Sequence, residues 1–222
     1  MSIKNNIEKF TQTLPKGCRL IAVSKTQPVE KILEAYEAGQ RLFGENKIQE
    51  LTAKYESLPN DIEWHMIGHV QSNKVKYMAP FVHLIHSVDS LKLLAEIDRQ
   101  AKKVNRTISC LLQIHIATEE TKFGFSESEV LETLQSDQFK SLANVRILGL
   151  MGMATLTDDQ AQIRKEFKSL KTLFEKIKSF QIPNVAMQEL SMGMSSDYQI
   201  AIEEGSTFIR VGTAIFGERN YP

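Results

Sequence analysis

Short apolar runs alternate along the chain with stretches in which apolar residues recur at helical spacing. The first pattern is that of strands buried on both faces, the second that of amphipathic helices. Apolar runs predict strands over 19–24, 41–44, 63–67, 82–87, 108–116, 145–151, 187–190 and 207–211. Helical periodicity fills the intervals at 29–38, 47–57, 72–78, 90–104, 127–136, 159–180 and 197–204, several of them opened by Ser, Asp or Pro, residues that cap or start helices. Strand and helix taking turns is the pattern of a parallel sheet with helices outside it. Seven helices link eight strands, and the eleven residues after Val211 leave little room for an eighth. The amphipathic stretch 3–12 can take that place in the outer ring. The expected fold is therefore α/β, a single (β/α)8 TIM barrel with an extra N-terminal helix. An open doubly wound sheet shows the same alternation and stays as the alternative.

Composition narrows the function classes. Of 222 residues, 42% are hydrophobic and 24% charged, the balance of a globular domain, and without a Gly/Pro/Ser-rich linker residues 1–222 read as one domain. Lys and Arg number 27 against 27 Asp and Glu, so no net field gathers nucleic acid or anionic membrane. Cys18 and Cys110 are too few for a disulfide framework. The N-terminal stretch mixes Lys and Glu with spaced apolar residues, unlike a signal peptide, and the apolar runs fall short of a membrane span. A cytoplasmic protein is expected.

In a barrel, chemistry collects at the C-terminal ends of the strands. Those ends carry Lys25 and Thr26, Glu45 and Asn46, His65 with Gly68, His86 with Asp89, 151–153, 191–196 and 210–213. Lys25 follows the apolar run LIAV with only Ser24 between. Burial at such a mouth lowers an amine's pKa and makes it the side chain that condenses with aldehydes; the plainer reading is an exposed strand-terminal lysine. The segment LSMGMSSD turns through Gly193 and offers Ser195 and Ser196 at a helix start, suited to an anion or to plain N-capping. Gly212 and Thr213 follow the last apolar strand and can present backbone N–H groups to the same anion. Arg210, two residues before Gly212, shares its strand face and can equally serve a structural ion pair. His65 and His69 are four apart, but Gly68 breaks any helix that would align them, so no metal site is expected. The methionines of GLMGMA and SMGMS fit packing better than a cofactor role.

The motifs AVSKT (22–26), FGENKIQE (43–50), WHMIGHVQSNK (64–74), GLMGMA (149–154), SMGMSSD (191–197) and GSTFIRVGTAIFG (205–217) together resemble the pyridoxal phosphate homeostasis protein family, in order and over almost the whole chain. The resemblance implies a barrel like the N-terminal domain of alanine racemase that binds pyridoxal 5′-phosphate (PLP) as a Schiff base on Lys25. It further implies Ser195, Gly212 and Thr213 at the phosphate, Arg210 facing the pyridine nitrogen, and Asn46, His65 and Met151 lining the pocket. Thr155 stands where the family often carries Pro. The expected role is cofactor buffering and delivery to apo PLP-dependent enzymes, by a monomer and without turnover. The alternative is an amino-acid racemase, which needs a second acid/base group opposite the lysine. In the resemblance to alanine racemase that group is a tyrosine of a further domain. Tyr36, Tyr55, Tyr77, Tyr198 and Tyr221 of this chain instead fall mostly on outer helices or the tail.

Overall fold

A computed structural model describes residues 2–118 and 123–217. Strands β1 (Arg19–Val23), β2 (Leu42–Glu45), β3 (Glu63–Met66), β4 (Leu84–Val88), β5 (Ile108–Gln113), β6 (Val145–Met151), β7 (Val185–Ser191) and β8 (Phe208–Val211) form a closed parallel barrel in sequence order. Pairing of β1 with β8 closes it, which sets the open sheet aside. The surrounding helices are α1 (Ile3–Thr13), α2 (Val29–Glu37), α3 (Ile48–Ser57), α4 (Val75–Met78), α5 (Leu91–Lys103), α6 (Glu127–Gln135), α7 (Asp137–Lys140), α8 (Gln160–Lys178), α9 (Tyr198–Glu203) and α10 (Thr213–Phe216).

Helix α1 occupies the gap in the outer ring. Its Ile3, Ile7 and Phe10 are buried, Ile3 N donates to Glu34 Oε1 at 3.1 Å, and Asn6 Nδ2 donates to the Ile215 carbonyl at 2.9 Å. It therefore spans α2 and α10. Strand β5 ends three residues earlier than its apolar run suggests: past Gln113 the chain forms an isolated bridge between Ile114 and Phe125. No described helix is long and apolar enough to cross a membrane. Both cysteines are buried and unpaired by disulfide, and burial pushes the Cys18 thiol up to about 11, so neither is a reactive thiolate.

Inside the barrel the side chains lie in layers, as the period of two along each strand requires. Ile21, Leu84, Leu111, Met151 and Phe208 form an apolar plug. Two residues on from Ile21, His65, Leu111, Met151 and Phe208 stand Val23, Ile67, Gln113, Met153 and Arg210, all on the wall of a cavity. Gly44 makes room between the layers, since a Cβ there would meet Ile21 Cγ2 at 2.9 Å and Ile67 Cδ1 at 3.0 Å. The plug thus sets the cavity floor and the next residue pair sets its wall.

Candidate functional site

The cavity at the C-terminal ends of the strands has a volume of about 430 Å³, within the range of small-molecule sites. Lys25, Asn46, Ser195, Arg210, Gly212 and Thr213 all stand on its wall. His65 and Met151 do not. Both are fully buried one layer deeper, because Ile67 and Met153, two residues on, take the wall positions of β3 and β6. The wall also carries Met153, from the 151–153 strand end, and His69, Gln113 and Phe123, which strand-end reading did not single out as pocket residues.

Lys25 sits between two residues gripped by a buried charge cluster. Ser24 Oγ donates to Glu45 Oε1 at 2.6 Å, and Lys54 Nζ reaches the Ser24 carbonyl at 2.7 Å, Glu45 Oε1 at 2.7 Å and Glu50 Oε1 at 2.6 Å. On the other side Thr26 N donates to Glu50 Oε1 at 2.6 Å. That bond holds Thr26 at φ 62°, a left-handed conformation that costs an L-residue with a branched Cβ about 1–2 kcal/mol. The chain turns sharply after Lys25 as a result. Burial pushes the Glu45 carboxyl up, with the Lys54 ammonium opposing.

The loop after β7 is shaped by a glycine turn and by a backbone amide bonded to Asp197. Gly193 has φ +95°, and a Cβ there would meet Ala201 Cβ at 2.6 Å, so the turn requires glycine. Its carbonyl accepts from Arg210 N at 2.9 Å. Asp197 Oδ1 accepts from Met194 N at 2.5 Å, which folds the Met194–Ser195–Ser196 segment against the cavity. Burial raises the Asp197 carboxyl, opposed by that amide and by Arg210. Opposite it Gly212 packs on β1, where a Cβ would come within 3.1 Å of the Val23 carbonyl. The amides of Thr213 and Ala214, first in their helical turn, have no intrahelical acceptor.

Arg210 is a buried cation whose hydrogen bonds go to neutral oxygens. Nη1 donates to Ser191 Oγ at 2.6 Å and Nη2 to the Gly152 carbonyl at 3.0 Å. Burial lowers its pKa to about 10, against the opposing charge of Asp197, so it stays charged at neutral pH. Behind it a polar row runs into the barrel. Ser191 Oγ lies 2.9 Å from His86 Nδ1, and His86 Nε2 lies 2.8 Å from His65 Nδ1. Burial holds both imidazoles well below the ordinary histidine range, so the row is neutral beyond Arg210. At the rim His69 Nδ1 lies 3.1 Å from Asp89 Oδ2, and its ring stacks on Phe123 at 4.2 Å. Tyr36, Tyr55, Tyr77 and Tyr198 stand on helices α2, α3, α4 and α9 and not on the cavity wall; Tyr221 lies outside the described residues.

Known proteins match the chain over most or all of its length. The alanine racemase N-terminal domain family matches residues 1–220. A pyridoxal phosphate homeostasis protein of Aquifex aeolicus is 40% identical over 99% of this chain and 96% of its own length, and one of Homo sapiens is 41% identical over 91% and 77%. Among solved structures, PipY of Synechococcus elongatus PCC7942 with PLP bound superposes with a TM-score of 0.88 at 39% identity, covering 97% of this chain and all of that one. Alanine racemase of E. faecalis shares the fold at a TM-score of 0.72 and 17% identity, the match covering 57% of its length. The chain belongs to the pyridoxal phosphate homeostasis protein family, within the wider family of alanine racemase N-terminal domains.

Proposed function

We propose that the protein binds PLP at the barrel mouth and serves intracellular PLP homeostasis, holding the cofactor and handing it to apo PLP-dependent enzymes without turnover of its own. The observation that carries this reading is the convergence of Lys25, Ser195, Arg210, Gly212 and Thr213 around one cavity. A buried guanidinium bonded to neutral oxygens suits a ligand that brings negative charge. Relatives along the whole chain carry the homeostasis name, and PipY has been solved with PLP bound.

Lys25 would hold the aldehyde through its amine, and the charge cluster around Ser24 and Thr26 orients it. The Ser195 hydroxyl and the amides of Gly212 and Thr213 would hold the phosphate, with Asn46 on the adjacent wall. His65 and Met151 support the floor from one layer below. When bound, PLP supplies an aldehyde that condenses with amines and, where its ring nitrogen is protonated, an electron sink. Arg210, permanently charged, would stand toward that nitrogen and disfavour its protonation. That supports holding over turnover.

A racemase reading has one observation in its favour: His69 stands on the wall, oriented by Asp89, as an acid/base group would be. Two measurements decide. After loading with PLP, borohydride reduction and peptide mapping are expected to label Lys25, and Lys25→Ala is expected to stay colourless; label elsewhere would overturn the site. Incubation with L-amino acids in deuterated water is expected to give slow or no loss of Cα–H. Many turnovers per second, abolished by Lys25→Ala and by His69→Ala, would make the protein a racemase.

A further inference from the structure

At the opposite end of the barrel, Glu63 opens β3 and His83 immediately precedes β4. These two strands pair in parallel, with His65 beside Leu84. Glu63 and His65 are two apart on β3 and share a face. One donor atom from each of Glu63, His65 and His83 lies within 4.8 Å of the others, and Glu63 Oε2 stands 3.5 Å from His83 Nε2. His65 uses Nδ1 toward His86 Nε2 at 2.8 Å. The nitrogen left over, Nε2, is buried and finds no hydrogen-bond partner among the described residues. Leaving such a nitrogen unpaired in the interior is costly, and Glu63 and His83 are the half-exposed donors grouped with His65.

We propose that Glu63, His65 and His83 form a binding site for a divalent transition-metal ion of the zinc class, at the floor of the barrel and separate from the cavity at its mouth. Two imidazoles and one carboxylate are a borderline donor set, which suits zinc with water in the fourth position. Magnesium and calcium take mostly oxygen ligands and are disfavoured. Ligands about 2.0–2.2 Å from a tetrahedral ion stand about 3.3–3.5 Å from one another, so the trio must contract somewhat. The side chains free to do so are Glu63 and His83, exposed by 40% and 50%. His65 stays fixed by His86, itself 2.9 Å from Ser191 Oγ. With Nδ1–H donated to His86, Nε2 presents its lone pair outward, the arrangement that orients a metal-bound histidine. Arg19, the cation felt at His65, is taken up by Glu189 at 2.5 Å. Sequence spacing draws attention to His65 with His69; the fold joins His65 to His83 instead.

The test is equilibrium dialysis of the full chain against Zn²⁺, with Co²⁺ absorption as a report on geometry. The wild type is expected to take up one equivalent, with a tetrahedral Co²⁺ band and a raised Tm in the presence of Zn²⁺. His83→Ala and Glu63→Gln, both at half-exposed positions and checked for folding by circular dichroism, are each expected to weaken binding at least about tenfold. No saturable uptake would overturn the site, as would undiminished uptake in both variants. Loss of the equivalent in His69→Ala alone would move it to the His69–Asp89 pair and overturn it equally.

Discussion

On the β1–β2 wall of the cavity, Lys25 is set by ions: Lys54 bridges Glu45 and Glu50, and the cluster grips Ser24 and Thr26. On the β7–β8 wall, Ser195, Gly212 and Thr213 are set by a glycine turn and by backbone amides that donate to the Asp197 carboxylate and to carbonyls, with no ammonium in the set. The difference follows what each wall must hold. An amine that condenses with an aldehyde has to sit at one place at the end of a strand, and a left-handed Thr26 needs a strong acceptor to keep it there. An anion needs donors that stay in place at every working pH, which hydroxyls and amides provide. Each wall also contains one buried carboxylate pushed upward, Glu45 and Asp197, but the first answers to an ammonium and the second mainly to a backbone N–H.

The largest effect comes from breaking the ionic wall. Lys54→Met leaves Glu45 buried without its cation, and removing one partner of a buried pair costs about 3–5 kcal/mol. Urea denaturation at neutral pH measures it. The cost is expected to shrink on acidification, because Glu45 without its ammonium takes up a proton more readily. A loss below about 1 kcal/mol at neutral pH would mean that the cluster does not hold this wall.

The β7–β8 wall answers through affinity more than stability. Ser195→Ala is expected to weaken PLP binding by about 1.5–3 kcal/mol, the range of a hydrogen bond to a charged group, with the fold intact because Asp197 and Gly193 still shape the loop. Titration followed by PLP absorbance reads it, and unchanged affinity would remove Ser195 from the site.

How much of this was legible depends on range along the chain. The eight strands are visible because each is a short apolar run, and Lys25 and Arg210 because they stand at or near the ends of such runs. Helices α7 and α10 escape because α7 is one turn set off from α6 by Ser136, which caps both, and the Thr213–Phe216 turn continues the apolar run of β8. The placing of His65 and Met151 on the pocket wall reads the motif without its depth; Ile67 and Met153 lie two positions on, on the same faces, and that spacing gives the order of layers. Lys54 is nine residues from Glu45 and on a helix whose face the periodicity assigns to packing, so nothing in one sequence joins them. The His65–His86 and His65–His83 contacts bridge neighbouring strands and become visible only once the barrel fixes its register.

The smallest expected effect is also the sharpest separation of the two walls, because it concerns one proton. Glu45 titrates above its ordinary 4.5 in the folded protein, so the folded state binds that proton more tightly than the unfolded chain does. Its contribution to stability is then complete below about pH 4.5 and is lost as the pH rises through the folded value. Glu45→Gln keeps the shape and removes the titration. Lys54 retains Glu50 and the Ser24 carbonyl as acceptors, so the variant is expected to lie within about 1 kcal/mol of wild type at neutral pH. Relative to wild type, it is expected to gain stability as the pH rises from about 4.5 through the folded value of Glu45, and to gain no more above it. Denaturation midpoints across that interval measure the slope. A difference between the two proteins that does not change with pH would mean that the carboxyl is not displaced upward, and that the ionic wall is held at no cost in desolvation.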